Sequence, residues 1–332
     1  MKFQDIISSI DNKKYHPIYF LSGEEPFYID KICDYISDNV LKDQEKGFNQ
    51  SILYSKDIDV AQIIAEAKQF PFGSMYRVVI VKEAQNIRKI EDLASYLEMP
   101  QSSTLLVICY KYKKLDKRKN FTKELIKKSL FFESKKLYDN QIPDWIVTYL
   151  TKEGYNIEDK ASLMLAEFLG TNLSNISNEL DKLMVIVKKE DKITADIIEK
   201  NIGISKDFNI FEFQKALGSK NILKSNRIVK YFAANPKAHP LVVTLGMLFL
   251  FFQKIITYQN LKDKSKNSVA VELKVNPYFV QQYSKAAHNY SQNKLLEIFS
   301  YLKEYDLKSK GVNNISTSDG ELLKELVYKI LH

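Results

Sequence analysis

An apolar strand-like run over 16–21 leads into Gly23-Glu24-Glu25-Pro26-Phe27-Tyr28-Ile29-Asp30 and then into an amphipathic, helix-like segment, the setting of a phosphate-binding loop. A working loop of the form G-x-x-x-x-G-K-[ST] uses its second glycine for close backbone approach, its lysine for the β/γ-phosphates and its hydroxyl for Mg²⁺. Counted from Gly23, those three positions hold Tyr28, Ile29 and Asp30. A ring blocks the approach, an aliphatic chain replaces the cation, and a carboxylate near a helix start competes with a polyphosphate for the same amides. The frame of the motif is present without its chemistry. The sequence therefore predicts no nucleotide hydrolysis, no catalytic residue and no cofactor here.

The other titratable candidates carry less. Glu24-Glu25 are paired carboxylates, but adjacent side chains diverge and no nucleophile accompanies them. His16, His239, His288 and His332 include no i, i+4 pair, and no metal site is expected. Cys33 and Cys109 lie in apolar contexts, too few for a disulfide framework or a zinc cluster, and are expected as buried thiols.

Two surface features remain. Phe70-Pro71-Phe72 follows a helical pattern over 60–69; proline ends that helix, so two rings and nearby Met75 gather at its C-terminal end. From the residues alone they read as a docking tip or as core side chains capping a sheet edge. The second feature runs from Tyr110 to Lys119, where Lys111, Lys113, Lys114, Lys117, Arg118 and Lys119 face one acid, Asp116, and are interleaved with Tyr110 and Tyr112. This segment reads as a solvated loop or as a DNA phosphate contact.

The elements that must position these residues show a βαβ rhythm. Strand-like runs fall at 16–21, 50–54, 77–81, 104–109 and 129–132, with helical patterns at 26–41, 60–69, 89–98 and 121–128. Val78-Val79-Ile80-Val81 and Leu105-Leu106-Val107-Ile108 are apolar without alternation, as in strands of a parallel sheet covered on both faces. After about residue 138 the strand signal fades, and Pro143 marks a helix start. An apolar stripe through Leu173, Ile176, Leu180, Leu183, Met184 and Val187, and a capped helix at Thr194, belong to a small helical module. Further helical patterns occupy 208–218, 221–234, 240–259, 277–288, 291–307 and 320–331, with 261–268 as a flexible connector. Leu322, Leu323, Leu326, Val327, Ile330 and Leu331 form a stripe readable as bundle core or subunit interface. The predicted class is α/β plus all-α: an α/β domain over 1–139, a helical module over 140–206 and a helical bundle over 207–332.

The chain has 332 residues, 45% hydrophobic and 27% charged, a composition typical of folded globular proteins rather than disordered ones. Its net charge of +8 favours an acidic partner. Only Arg77, Arg88, Arg118 and Arg227 are arginines, so bidentate phosphate or base recognition has few candidates and lysine supplies diffuse charge. The longest apolar run, 241–252, is shorter than the ~20 residues a bilayer span needs and is expected as a buried helix without membrane contact. The N-terminal residues lack a signal-peptide pattern, so a cytoplasmic location is predicted.

The order of parts resembles clamp-loader proteins of the AAA+ class, and local sequence narrows the resemblance. Ile18-Tyr19-Phe20-Leu21-Ser22-Gly23-Glu24-Glu25-Pro26-Phe27 is similar to the opening of the delta subunit of bacterial DNA polymerase III, whose members read roughly Y-L-L-Y-G-E-E-P-Y and also lack the lysine and hydroxyl. Pro71-Phe72-Gly73-Ser74-Met75-Tyr76-Arg77-Val78-Val79 resembles the family's P-F-F-x-x-R-R-L-V-V. Asn178-Glu179-Leu180-Asp181-Lys182-Leu183 resembles E-L-E-K-L, and Lys303-Glu304-Tyr305-Asp306-Leu307-Lys308-Ser309-Lys310-Gly311 resembles A-D-L-x-L-K-G. These patches keep their order over nearly the whole length.

The resemblance implies an AAA+-like domain without a functional phosphate loop, a small lid module and a C-terminal collar. It also implies a non-catalytic subunit that grips the sliding clamp (beta), favours ring opening, and assembles with ATP-hydrolysing gamma/tau subunits and delta-prime around primed DNA. In that family the segment at Phe70, Pro71, Phe72 and Met75 carries a hydrophobic plug, with Phe72 at the aromatic position; Gly73 stands where many members have a second Phe, leaving Phe70 or Met75 as second anchor. The residues after 78–81 are Lys82-Glu83, where an active superfamily member carries an Asp-Glu pair for Mg²⁺, and no Ser-Arg-Cys string occurs. The stator sibling of the same loader, and a divergent ATP-binding protein, are the alternatives.

Overall fold

The unbroken apolar runs of the N-terminal region pair as a five-stranded parallel sheet in the computed structural model, which describes residues 2–56 and 58–332. The chain divides into two units, one formed by Met1–Tyr138 with Thr171–Ser174 and the other by Asp139–Gly170 with Asn175–His332. The first contains α1 (Phe3–Asp11), β1 (Ile18–Gly23), α2 (Pro26–Asn39), α3 (Asp43–Asn49), β2 (Gln50–Tyr54), α4 (Val60–Ala67), β3 (Arg77–Lys82), α5 (Ala94–Glu98), β4 (Thr104–Lys111), α6 (Asn120–Lys128) and β5 (Leu130–Ser134). The strand order is β2-β3-β4-β1-β5, with Phe20 of the inner strand β1 level with Ile108 on one side and Phe131 on the other.

Both faces of the sheet are covered, which is why its inner strands show no polar alternation. Phe20, Val79, Val81, Leu106 and Ile108 pack with Val60, Ile63 and Ala67 of α4 and Leu125 of α6. Tyr19, Leu21, Val78, Ile80 and Val107 pack on the other face with Ile29, Ile32 and Ile36 of α2 and Ile6 and Ile10 of α1. The two free thiols, Cys33 of α2 and Cys109 of β4, lie buried in this second layer.

Three local expectations change. The helix expected over 89–98 starts as a 3₁₀ turn, Ile90–Leu93, behind Lys89 in the left-handed region (φ 55°), and only Ala94–Glu98 is α-helical. Helices α1 and α3 carry too few core positions to stand out: α1 buries Ile6 and Ile10, and α3 buries only Asn49. The connector expected over 261–268 ends inside a helix whose Val269 and Ala270 are buried.

The second unit comprises α7 (Ile142–Lys152), β6 (Asn156–Ile157), α8 (Asp159–Leu169), α9 (Leu173–Ile186) from Asn175 onward, β7 (Lys192–Ile193), α10 (Ala195–Ile202), α11 (Ile210–Gly218), α12 (Ile222–Ala234), α13 (Leu241–Asn260), α14 (Lys266–Glu272), α15 (Val280–Asn289), α16 (Gln292–Ser309) and α17 (Asp319–Leu331). Strands β6 and β7 form a two-residue parallel ladder that sequence patterning could not register. The α17 stripe is bundle core, since Leu322, Leu323, Leu326, Val327, Ile330 and Leu331 are all buried within the chain. Helix α13 is long and apolar enough to cross a membrane by length and composition, and it packs Leu241, Leu245, Leu248, Phe252 and Ile255 into the same core.

On α8, Glu167 lines a cavity of this unit together with Lys254 of α13. Burial pushes the Glu167 carboxyl up to about 8, and burial also pulls the Lys254 ammonium down. A carboxyl raised on folding stabilises the native state fully below its unfolded value and loses that contribution as pH rises toward 8. Between about pH 5 and pH 8 the melting temperature of the wild-type chain should therefore fall relative to that of Glu167→Gln; parallel wild-type and variant curves would refute it.

Candidate functional site

The loop after β1 keeps its shape by bonding to the protein. Gly23 N–H donates to Lys113 O (3.2 Å), Glu24 N–H to Ser134 O (3.2 Å), Glu25 N–H to Ser134 Oγ (3.2 Å) and Phe27 N–H to the Glu25 carboxylate (3.1 Å). In a working phosphate loop such amides face the ligand. Here the segment after β4, the end of β5 and the cap of α2 occupy them. Gly23 is required for the same reason: its φ is +133°, and a β-carbon would lie 2.1 Å from Ser134 O. Tyr28 packs against Phe3 and Phe27, with ring centroids 5.3 Å away in each case, and Ile29 is fully buried.

Asp30, at the position of the magnesium-binding hydroxyl, bonds instead to Lys111. The Lys111 ammonium lies 2.6 Å from Asp30 Oδ1 and 3.1 Å from Glu83 Oε1, so one lysine joins the two acids that flank the degenerate site. Lys111 is only 8% exposed, and its burial opposes the charge, but the hydrogen bonds it donates to both carboxylates outweigh that and raise its pKa. Glu83 is pushed up by burial and down more strongly by hydrogen bonds from Gln85 and Lys111, with a net lowering.

The basic segment is correspondingly less basic than it reads. Lys111 is corrected from a candidate DNA contact to a buried ion-pair partner. Lys114 pairs with Glu24 (2.8 Å), Lys117 with Glu133 (2.7 Å), Arg118 with Asp116 (2.8 Å) and Lys119 with Glu91 (2.8 Å). Lys113 has no ion-pair partner among the described residues. These five side chains are exposed, and exposed pairs are weak enough, ~0–1 kcal/mol, to exchange for a phosphate.

The aromatic tip is built on the opposite plan, apolar outside and polar beneath. Phe70, Phe72 and Met75 are 77%, 74% and 79% exposed, so they are not core residues capping the sheet edge. Pro71 is half-buried between them, and Gly73 turns the chain at φ +63°. Phe48, at the end of α3, is 70% exposed and its ring stands 5.7 Å from that of Phe72. Sequence reading missed Phe48 because it lies 24 positions from Phe72, outside any shared periodicity.

Below the rings, Asn49 Oδ1 accepts from Phe72 N–H (2.6 Å) and Asn49 Nδ2 donates to Phe72 O (2.9 Å). Buried Arg77 donates to Phe48 O (3.0 Å) and Ser51 Oγ (3.2 Å), and also bonds to Glu66 of α4. Burial raises Glu66, but the Ser51 and Arg77 hydrogen bonds hold it below the usual carboxylate range. Tyr96 Oη donates to Ala67 O (3.2 Å), fixing the last turn of α4.

A parallel sheet ordered β2-β3-β4-β1-β5, with a loop of phosphate-binding position after β1 and a helical region following in the chain, is an AAA+-like fold whose loop amides are bonded internally. Residues 19–135 match the family described as DNA polymerase III, delta subunit, and residues 207–326 match the DNA polymerase III delta subunit, C-terminal domain. The chain belongs to the DNA polymerase III delta subunit family. It is 28% identical over 334 residues to the DNA polymerase III subunit delta of Bacillus subtilis (strain 168), covering 97% of this chain and 94% of the relative. It is 20% identical over 265 residues to the probable DNA polymerase III subunit delta of Aquifex aeolicus (strain VF5), covering 75% and 73%. The solved structure of the Bacillus subtilis DNA clamp loader delta protein shares the fold, with a TM-score of 0.56, 24% identity and 99% of each chain covered.

Proposed function

We propose that this chain is the clamp-gripping subunit of a clamp loader: it binds the sliding clamp (beta) through Phe70, Pro71, Phe72 and Met75 and favours opening of the ring. The observation that carries this reading is the exposure of three large apolar side chains on one rigidly supported tip, which water alone does not reward. Burying one such ring contributes ~1.5–3 kcal/mol, whereas nanomolar affinity needs ~12. The tip is therefore a hot spot inside a wider contact, with Phe48 extending it.

Ring opening follows from linkage. A protein that binds the open clamp better than the closed one shifts the ring toward opening by that difference in affinity, with no nucleotide consumed. Energy enters elsewhere, at gamma/tau subunits assembled with this chain and delta-prime. The internally bonded loop amides and the Asp30–Lys111–Glu83 ion group support a subunit without catalysis or cofactor of its own. We assign 1–139 to the clamp-binding domain, 140–206 to a lid module and 207–332 to the collar of a cytoplasmic replication assembly. Lys113, Lys114, Lys117, Arg118 and Lys119 are the chain's contribution to holding primed DNA.

Titration of the purified chain with sliding clamp, with and without ATP, tests the reading. Equal binding in both conditions, weakened by Phe72→Ala, is expected; a folded wild-type chain that ignores the clamp overturns it.

A further inference from the structure

The segment carrying the tip has little to hold it from its own side. Gly73 sits in the left-handed region, and no atoms lie within 4 Å of where its β-carbon would project. Phe70, Phe72 and Met75 all face outward. A segment like this would be expected to sample many conformations, and each would have to be given up on binding. Among the described residues, the side chain that bonds to its backbone is Asn49, fully buried at the end of α3 and 23 residues from Phe72 in sequence.

We infer that Asn49 is the positioning residue of the clamp-binding tip, holding the Phe72 peptide in its binding geometry; this rests on the function proposed above. A side-chain amide presents an acceptor and a donor side by side, and both are used on the N–H and C=O of one residue, Phe72. Asn49 is itself held, because Nδ2 also donates to Glu45 O (3.2 Å). The carbonyl of its neighbour Phe48 is fixed by Arg77, which is anchored on Glu66 and Ser51. A path of part-buried hydrogen bonds, joined through the Phe48–Asn49 peptide, thus runs from α4 through Arg77 and the end of α3 to the backbone of Phe72. Aspartate keeps the acceptor and loses the donor. Alanine loses both.

The test is clamp-binding kinetics on the full chain with Asn49→Ala, Asn49→Asp, Phe72→Ala and the double variant Asn49→Ala/Phe72→Ala, with melting temperatures alongside. Losing two hydrogen bonds that fix a contact residue should weaken binding about tenfold, chiefly through faster dissociation. Asn49→Asp is isosteric and should also bind more weakly while retaining the fold, so the inference stays testable if the alanine variant unfolds. The discriminating readout is coupling: in a Phe72→Ala background, Asn49→Ala should change affinity by less than about twofold, because there is no ring left to position. Additive losses would mean a general structural role and overturn the inference. Wild-type binding by both Asn49 variants, with Phe72→Ala impaired, would also overturn it and leave the proposed function standing. Wild-type binding by all of them would remove the tip reading itself.

Discussion

Phe72→Ala should weaken binding of the sliding clamp by about 30-fold, the effect of losing ~2 kcal/mol at an interface hot spot, while leaving the melting temperature within a degree of wild type. The two readouts separate because the ring is 74% exposed and contributes little to any core. Its backbone bonds to Asn49 do not depend on the side chain, so the tip keeps its path after truncation. Phe70→Ala and Met75→Ala, measured in the same way, identify the second anchor as the one with the larger loss. Surface plasmon resonance on immobilised clamp gives both rates. An unchanged dissociation rate for Phe72→Ala would sink the plug.

Lys111→Met should be strongly destabilising, lowering unfolding free energy by ~2–3 kcal/mol. Methionine fills the space but leaves Asp30 and Glu83 without their shared cation, and removing one member of a buried ion group costs ~3–5 kcal/mol. We expect the lower figure because the Asp30 and Glu83 side chains are each 38% exposed and partly solvated. The pH dependence has a defined sign. Glu83 is depressed on folding, so its contribution is present above its ordinary value of 4.5 and is lost as pH falls through the folded value. In Lys111→Met the unpaired carboxylates gain by protonation, so the gap between variant and wild type should narrow toward pH 4. Lys111 is raised, so its own charge persists through the neutral range. Denaturant unfolding at pH 7 and pH 4 measures this, and adding Asp30→Asn and Glu83→Gln to Lys111→Met should recover much of the loss. A Lys111→Met chain as stable as wild type at pH 7 would show that the ion group is structurally idle.

How much of this was legible in the sequence depends on how far each cause lies along the chain. The inner strands were readable because Val78-Val79-Ile80-Val81 and its counterparts are apolar on both faces, and the missing loop chemistry could be read by counting from Gly23. What replaces that chemistry could not. Ser134 returns to the loop from more than a hundred residues away, and Lys111 reaches Asp30 only because β4 lies beside β1. The charge run after β4 named its lysines but not Glu24, Glu91 and Glu133, which neutralise much of it. Proline at 71 placed two rings at a helix end without deciding whether they faced water. That choice is made by Asn49 and Arg77, whose partners are set by tertiary packing rather than periodicity.

The pair of sulfur atoms under the sheet has a practical consequence. The Cys109 thiol is pushed well above its ordinary range, first by its hydrogen bond with Cys33 and then by burial, so it stays protonated and a poor nucleophile at neutral pH. Alkylating reagents must wait for α2 to part from β4. Because the chain's two cysteines both lie in the first unit, the rate of modification clocks the breathing of that unit alone, without a label, in the presence of any ligand.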